Sequence, residues 1–404
     1  EGVVLTDGQF HWDRVGVDVH YLKAEAPPSP PTVESSQRAE LFLGVEGGSE
    51  GGSTGRPPLL FLPGFGVGSF QFVRNLRKAG RHRDAYAMDW LGQGRSWPAE
   101  SGLEGLQFSV DTWVEQAHAF INNVIQEPVY VAGNSLGGFL AAQLAAKHPE
   151  DVKGVVLLNA TPFWAFRDTK NFALSLLWDG KLPAPDFYKI VAKSAFDSLR
   201  SEANVKRILD LVYAASDNAS PNLAKDIVEA AAHPVGPDAY ASIVFSPKPE
   251  LSFADALQTS ATNGVKYLVL YGRDDPWVVP LWGQRAYLNL RLAAARLGTT
   301  VDDIASYLEI APAGHCPHDE APETVARVIE SWFQRLDSIG SLAGQTSYFD
   351  FPEEVVEENN RLVKVESIGG KEARNIGEWA GTLLMRTRVA SIGSNIVSSQ
   401  DKIT

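Results

Sequence analysis

The sequence predicts an α/β fold, with a mostly parallel central sheet, helices on both faces and a helical cap inserted after the sixth strand. Three observations lead there. From Pro58 onward, short apolar runs alternate with longer amphipathic segments, as expected when helices cross over between parallel strands. The run Gly133-Asn134-Ser135-Leu136-Gly137 joins a β-like stretch, Pro128 to Ala132, to a helix-forming one, Gly138 to Ala146. Finally, Thr161 to Gly264 separates two consecutive strand-like runs and is mainly helical in pattern.

Residues 1–58 hold N-terminal strands and a Pro- and Gly-rich insertion. Trp12 to Lys23 reads as a strand with a turn, and Ala39 to Val45 as a further strand. Between and beyond them, Pro27-Pro28-Ser29-Pro30-Pro31 and Gly47 to Ser53 read as exposed loop. The first part of the core, 59–160, starts with the buried run Leu59 to Leu62 and the turn Pro63-Gly64-Phe65-Gly66. A helix through Phe70, Val73 and Leu76 follows, then the strand Tyr86 to Met88, ending in Asp89 and a Gly92-x-Gly94 turn. Residues 109–126 form an amphipathic helix, and Val152 to Asn159 is the strand after the serine turn.

The cap covers 161–264. Its first part carries Phe163, Trp164, Phe166, Phe172 and Trp178; most such residues hold a cap to its core, and some line a pocket. The second part of the core, 265–336, has strands at Val265 to Tyr271 and Tyr307 to Ile310, with helices over 281–297 and 322–336. In the C-terminal extension, 337–404, the acidic run Glu353 to Glu358 and the stretch Thr382 to Ile396 read as appended helices or disordered chain.

Charge and composition remove several classes of function. The net charge of −13 disfavours nucleic acid, which requires concentrated Lys and Arg. No apolar run approaches the ~18 residues of a membrane span. The single cysteine, Cys316, excludes an intramolecular disulfide and reads as a small buried residue beside His315. No C-x-x-C or H-E-x-x-H spacing suggests a metal, and Gly64-x-Gly66-x-Gly68 is not a dinucleotide fingerprint. No cofactor is expected. The chain begins at Glu1, and nothing in it reads as a targeting segment.

What remains is nucleophilic chemistry. Strand, sharp turn and helix around Gly-x-Ser-x-Gly form the context of a nucleophile elbow at Ser135. A serine hydroxyl needs a general base, and the base needs an orienting carboxylate. For this elbow the expected chain order is serine, acid, histidine. His315 follows the last core strand in the turn Ala311 to His315; His318 is its competitor. His82 and His118 precede the elbow, His148 ends its helix and His233 lies in the cap. Asp274 and Asp275 both follow the strand ending at Tyr271. The acid usually sits three residues after the glycine, which selects Asp275 and leaves Asp274 as a solvated turn residue or arginine partner. The oxyanion hole needs two aimed N–H donors: the backbone of Leu136 at the helix start and that of Phe65 in the first turn. Asp89 reads as fixing the turn at Gly92.

These three turns together resemble the α/β-hydrolase fold. Longer runs over about 58–336 resemble its pheophytinase branch, found in plants and algae: Leu62 to Phe70, Gly92-Gln93-Gly94, Asn159-Ala160-Thr161-Pro162-Phe163-Trp164, Tyr271 to Val278, and Gly314-His315-Cys316-Pro317-His318-Asp319-Glu320. The chain carries Pro63-Gly64 where many α/β-hydrolases have His-Gly. The resemblance implies hydrolysis of the phytyl ester of pheophytin through Ser135, His315 and Asp275, with Phe163, Trp164 and Trp277 near the substrate. It also implies a chloroplast location, peripheral contact with thylakoids and contact with other chlorophyll-breakdown enzymes. The same triad would serve a chlorophyll dephytylase, another lipophilic ester hydrolase or a carbon–carbon hydrolase. A non-catalytic pigment binder would be expected to have lost one of the three residues.

Overall fold

A computed structural model of the chain describes residues 3–27, 55–99, 102–162, 178–338, 354–359 and 361–368. The sheet has strands β1 (Leu5–Trp12), β2 (Val17–Ala24), β3 (Leu59–Leu62), β4 (Ala85–Met88), β5 (Val129–Asn134), β6 (Val152–Leu158), β7 (Lys266–Gly272), β8 (Ala305–Ala311), β9 (Glu354–Glu358) and β10 (Arg361–Ser367). Their spatial order is β1-β2-β4-β3-β5-β6-β7-β8-β10-β9. The six from β4 to β8 run parallel. Antiparallel hairpins close both edges.

The inner strands are apolar throughout because both faces are covered. Side chains alternate between two core layers: Val129, Val131, Tyr267, Val269 and Tyr271 enter one, and Tyr130, Ala132, Leu268 and Leu270 the other. The second layer is closed by α1 (Val73–Ala79) and the last helix, α10 (Pro322–Ser338), through Leu76, Val325, Val328, Ile329, Trp332 and Phe333. The first is closed by α2 (Val110–Phe120), α3 (Leu136–Lys147) and α9 (Pro280–Leu297). The chain leaves β3 toward β4 on one side and returns to β5 on the other. The turns after β3 and β5 therefore part at a topological switch point, where such sheets form crevices.

Between β6 and β7 lie α4 (Asp186–Leu199), α5 (Glu202–Val212), α6 (Leu223–Ala230), α7 (Gly236–Val244) and α8 (Phe253–Thr262). The last differs from the expected cap boundary at 264. Phe253, Ala256, Leu257 and Ala261 are buried, Phe253 stacks on Phe139 of α3 with centroids 5.6 Å apart, and Gln143 of α3 donates to Leu251 O at 2.8 Å. This helix belongs to the layer over the sheet.

Two edge regions also differ from the sequence reading. The N-terminal hairpin begins at Leu5, and Trp12 ends its first strand. The acidic run expected to be helical or disordered is β9, paired in register with β10. Alternation explains both differences: an edge strand buries only every other side chain, so it lacks a continuous apolar run. Val363 and Val365 enter the core while their neighbours stay nearer solvent. Asn359, at φ 52°, takes the left-handed conformation in the hairpin loop. Glu358 then caps α10, accepting from Glu323 N at 2.7 Å and from Thr324 N at 3.0 Å. The stretches Ala39 to Val45 and Thr382 to Ile396 lie outside the described residues.

Candidate active site

Ser135 sits at the turn from β5 into α3 with φ 53° and ψ −116°. Such a conformation in a non-glycine residue costs on the order of 1–3 kcal/mol and is held by its surroundings. Ser135 N donates to Leu158 O at 3.0 Å, and Ser135 O accepts from Thr161 N at 3.1 Å. Gly137 allows the helix to approach the loop after β3, since a Cβ there would stand 2.0 Å from Leu62 O. Asn134, the variable residue of the motif, has a role that its sequence position does not reveal. Its Nδ2 donates to Leu158 O at 3.0 Å and to His315 O at 2.9 Å, joining the serine turn to the histidine turn.

His315 and Asp275 meet although 40 positions apart, with Nδ1 2.7 Å from Oδ2. A carboxylate only accepts, so Nδ1 carries the hydrogen and Nε2 is left with its lone pair. Asp275 is buried, and the rest of its accepting capacity is also used. Trp277 N and Val278 N donate to Oδ1 at 2.7 and 2.9 Å. Asn159 Nδ2 donates to Oδ2 at 2.8 Å. Asn159 is itself fixed: φ is 43°, and its Oδ1 accepts from Gly272 N at 2.7 Å. It opens the Asn-Ala-Thr-Pro-Phe-Trp run but was not singled out from sequence, because its partner lies 116 positions away.

Asp274 is exposed and accepts from Ala313 N at 3.2 Å. The expected arginine pairing goes elsewhere: Arg273 binds Glu309 and Glu366. His318, the competing base, is fully buried and stacked on Phe72 at 4.5 Å. Neither of its ring nitrogens has a hydrogen-bond partner among the described residues. Burial, with His315 nearby, pushes its pKa down to about 3, so it stays neutral in the core. Cys316 is buried and its thiol pKa is raised by burial, which suits a packing role.

The remaining carboxylates of the Gly-His-Cys-Pro-His-Asp-Glu run hold the cap rim. His315 N donates to Val212 O at 2.8 Å. Glu320 accepts from Gly314 N at 2.8 Å, Ala214 N at 2.9 Å and Ala215 N at 3.3 Å. Asp319 accepts from Tyr213 Oη at 3.0 Å, Ser220 N at 3.0 Å and Ser220 Oγ at 2.6 Å. Gly314 permits this contact, since a Cβ there would lie 2.5 Å from Val212 O. Burial pushes the Glu320 carboxyl up to about 7, against the opposing pull of its N–H donors.

In the loop after β3, Gly66 N donates to Gln93 Oε1 at 2.6 Å and Trp90 Nε1 to Pro63 O at 2.9 Å. Asp89 accepts from Ser69 N, Arg95 N and His20 Nδ1. It therefore ties this loop to the Gly92 turn and also to β2, a wider role than the turn alone. Phe65 is half exposed, while Leu136 is the buried first residue of α3. Trp277 is exposed beside the acid turn. Phe163 and Trp164 lie outside the described residues. A cleft between α1 and α10, lined by Asn75, Lys78, His82, Glu323 and Glu330, includes none of Ser135, Asp275 and His315.

Comparison with known proteins agrees with this architecture. The chain is 38% identical over 315 residues to "Pheophytinase, chloroplastic" of Arabidopsis thaliana, a match covering 70% of this chain and 62% of that protein. The chain thus spans less than two thirds of that relative's length. It is 26% identical to a 2-hydroxymuconate semialdehyde hydrolase of Pseudomonas putida, covering 68% of this chain and 83% of that one. A 2-hydroxy-6-oxo-6-phenylhexa-2,4-dienoate hydrolase from a Rhodococcus species shares the fold at TM-score 0.55 and 17% identity, covering 82% of this chain and 100% of the other. Residues 59–328 match the alpha/beta hydrolase family, and the chain belongs to that family.

Proposed function

We propose that the protein is a serine carboxylester hydrolase that cleaves the phytyl ester of pheophytin to pheophorbide and phytol. One observation carries the chemistry: His315 Nδ1 bonds Asp275 Oδ2 at 2.7 Å in a turn tied through Asn134 to the strained turn of Ser135. The similarity to a chloroplastic pheophytinase supports the substrate. Ser135 Oγ attacks the ester carbonyl carbon as His315 Nε2 takes its proton. The backbone N–H groups of Leu136 and Phe65 hold the oxyanion. His315 then protonates the phytol oxygen as the C–O bond breaks, leaving an acyl-enzyme. Water, deprotonated by His315, releases pheophorbide and restores the serine. Asp275 fixes the imidazole tautomer and stabilises its cationic form.

A phytyl chain gains about 0.8 kcal/mol for each methylene withdrawn from water, so apolar surface under the cap supplies binding energy. Phe163, Trp164 and Trp277 are the proposed contacts. The reaction takes place in the chloroplast, at the thylakoid surface and in contact with other chlorophyll-breakdown enzymes. Association with that membrane is peripheral in this reading: among the described residues, no helix is long and apolar enough to cross one.

Purified protein assayed on pheophytin and on chlorophyll tests the proposal. Pheophytin is expected to be turned over preferentially, with Ser135→Ala abolishing turnover while the thermal transition stays intact. Equal rates on both pigments would defeat the substrate assignment, and a fully active Ser135→Ala would defeat the mechanism.

A further inference from the structure

A second group of ligand-type side chains lies at the far end of the elbow helix. His118 is in the last turn of α2, His148 directly follows α3, and Asp151 ends the short turn Pro149–Asp151. The twelve residues of α3 put this cluster about 18 Å from the serine turn. One donor atom from each of the three lies within 4.8 Å of the others. The two imidazoles lie face to face, with centroids 3.8 Å apart and planes at 16°. His118 Nδ1 is 2.6 Å from Asp151 Oδ2, and Glu115 Oε1 is 3.5 Å from His148 Nε2.

Carboxylates are concentrated around the two imidazoles. Asp151 is only 5% exposed, yet among the described residues its carboxylate meets only His118 and Asn122. Of the nearby cations, Arg14 pairs with Glu115 Oε2 at 3.3 Å, leaving Oε1 toward His148, and Lys147 pairs with Asp111. Glu150 adds a further carboxylate 3.5 Å from His148 Nδ1. A buried carboxylate is costly unless it is paired or holds a metal, and His118 is the group that meets this one. In addition, His148 Nε2 is shielded from solvent without a hydrogen-bond partner among the described residues.

We propose that His118, His148 and Asp151, with Glu115 as fourth donor, bind a divalent cation of the zinc class. Two imidazoles and two carboxylates suit zinc, cobalt or nickel, whereas calcium and magnesium prefer oxygen alone. Tetrahedral zinc, with bonds of about 2.0–2.1 Å, needs donors roughly 3.4 Å apart. The donors of His118, His148 and Asp151 must therefore close by about 1.5 Å at most, with one imidazole turning out of the stack to point its lone pair at the ion. Asn122 Nδ2 contacts Asp151 and His118 O and orients the donors from outside. The ion would staple the end of α2 to the end of the elbow helix. Sequence spacing does not reveal the site because His118 and Asp151 are 33 positions apart.

Calorimetric titration of the chelator-treated full chain with zinc chloride tests this site, with the cobalt visible spectrum reporting coordination. One equivalent is expected to bind and to raise Tm. His118→Ala and His148→Ala should each weaken binding at least about tenfold, and Asn122→Ala should weaken it about tenfold. His148→Gln, closer in size and polarity, serves if an alanine variant fails to fold. No saturable binding by the wild type would overturn the site, leaving His118 and Asp151 as a plain ion pair. Unchanged affinity in His118→Ala/His148→Ala would overturn it as well.

Discussion

His318 should make the folded protein acid-sensitive, and replacing it with leucine isolates the effect. Its ring is fully buried against Phe72, with both nitrogens lacking partners among the described residues. Its pKa falls from 6.5 to about 3, first through burial and then through His315. A base with a depressed folded pKa contributes stability that is complete above pH 6.5 and is lost as pH falls toward 3. At about 1.4 kcal/mol per pH unit between the two values, the full loss is roughly 4–5 kcal/mol. That is a large part of a typical stability of about 5–15 kcal/mol. Buried carboxylates add their own acid dependence, but it is common to wild type and variant and cancels in the difference. Urea unfolding followed by tryptophan fluorescence at pH 8, 6, 5 and 4 gives the comparison. His318→Leu should lose less stability than wild type at each step below pH 6.5, by about 1.4 kcal/mol per unit. At pH 8 the two should lie close together. Removing an unsatisfied N–H gains about 1–3 kcal/mol, offsetting a lost ring stack worth about 0.5–1.5 kcal/mol. Parallel pH profiles would refute the reasoning, because they would mean that the ring is not transferred uncharged into the core.

Three further outcomes follow from the site and its supports. Asn159→Asp removes a donor from Asp275 and sets a second negative charge beside it; kcat should fall about 10–100-fold, the equivalent of ~1.5–3 kcal/mol for a hydrogen bond to a charged group. KM should change little, as Asn159 bonds the carboxylate of Asp275. Glu320, raised from 4.5 to about 7, contributes stability that is complete below pH 4.5 and lost as pH rises through 7. Glu320→Gln should flatten this dependence, worth roughly 3 kcal/mol, in urea unfolding between pH 4.5 and 8. Glu358→Ala removes the cap of α10 and should lower stability by about 1–2 kcal/mol, read by calorimetry, with ester hydrolysis unchanged.

Residues whose partners are close in sequence, or whose burial is continuous, were legible from the sequence. The inner strands appear as unbroken apolar runs because both faces are covered. The serine, acid and histidine turns each follow such a strand, and Asp275 and His315 do meet. The edge hairpins were less legible: Glu354 to Glu358 looks like a charged helix until β10 pairs with it. Asn134 at the end of β5, Asn159 just after β6, and Asp319 and Glu320 in the short helix Pro317–Glu320 are polar residues, and sequence alone does not tell a solvated amide or carboxylate from a buried one. Their roles arise from contacts between 6 and 181 positions away.

Two of them, Asp319 and Glu320, also limit how the cap can move. Opening it at 212–220 would break the bond from His315 N to Val212 O and the bonds from the cap backbone to Glu320 and Asp319. Each buried group left unpaired costs about 1–3 kcal/mol, and one of these bonds is made by the backbone of His315 itself. Motion of this rim would therefore disturb His315. The rim thus acts as a fixed wall beside the His315 turn. The carboxylates of the histidine run account for this wall, and Asn159 accounts for the fixed orientation of the acid. Within the runs that open at Asn159 and Gly314, these contacts fix Asp275 and the backbone of the His315 turn.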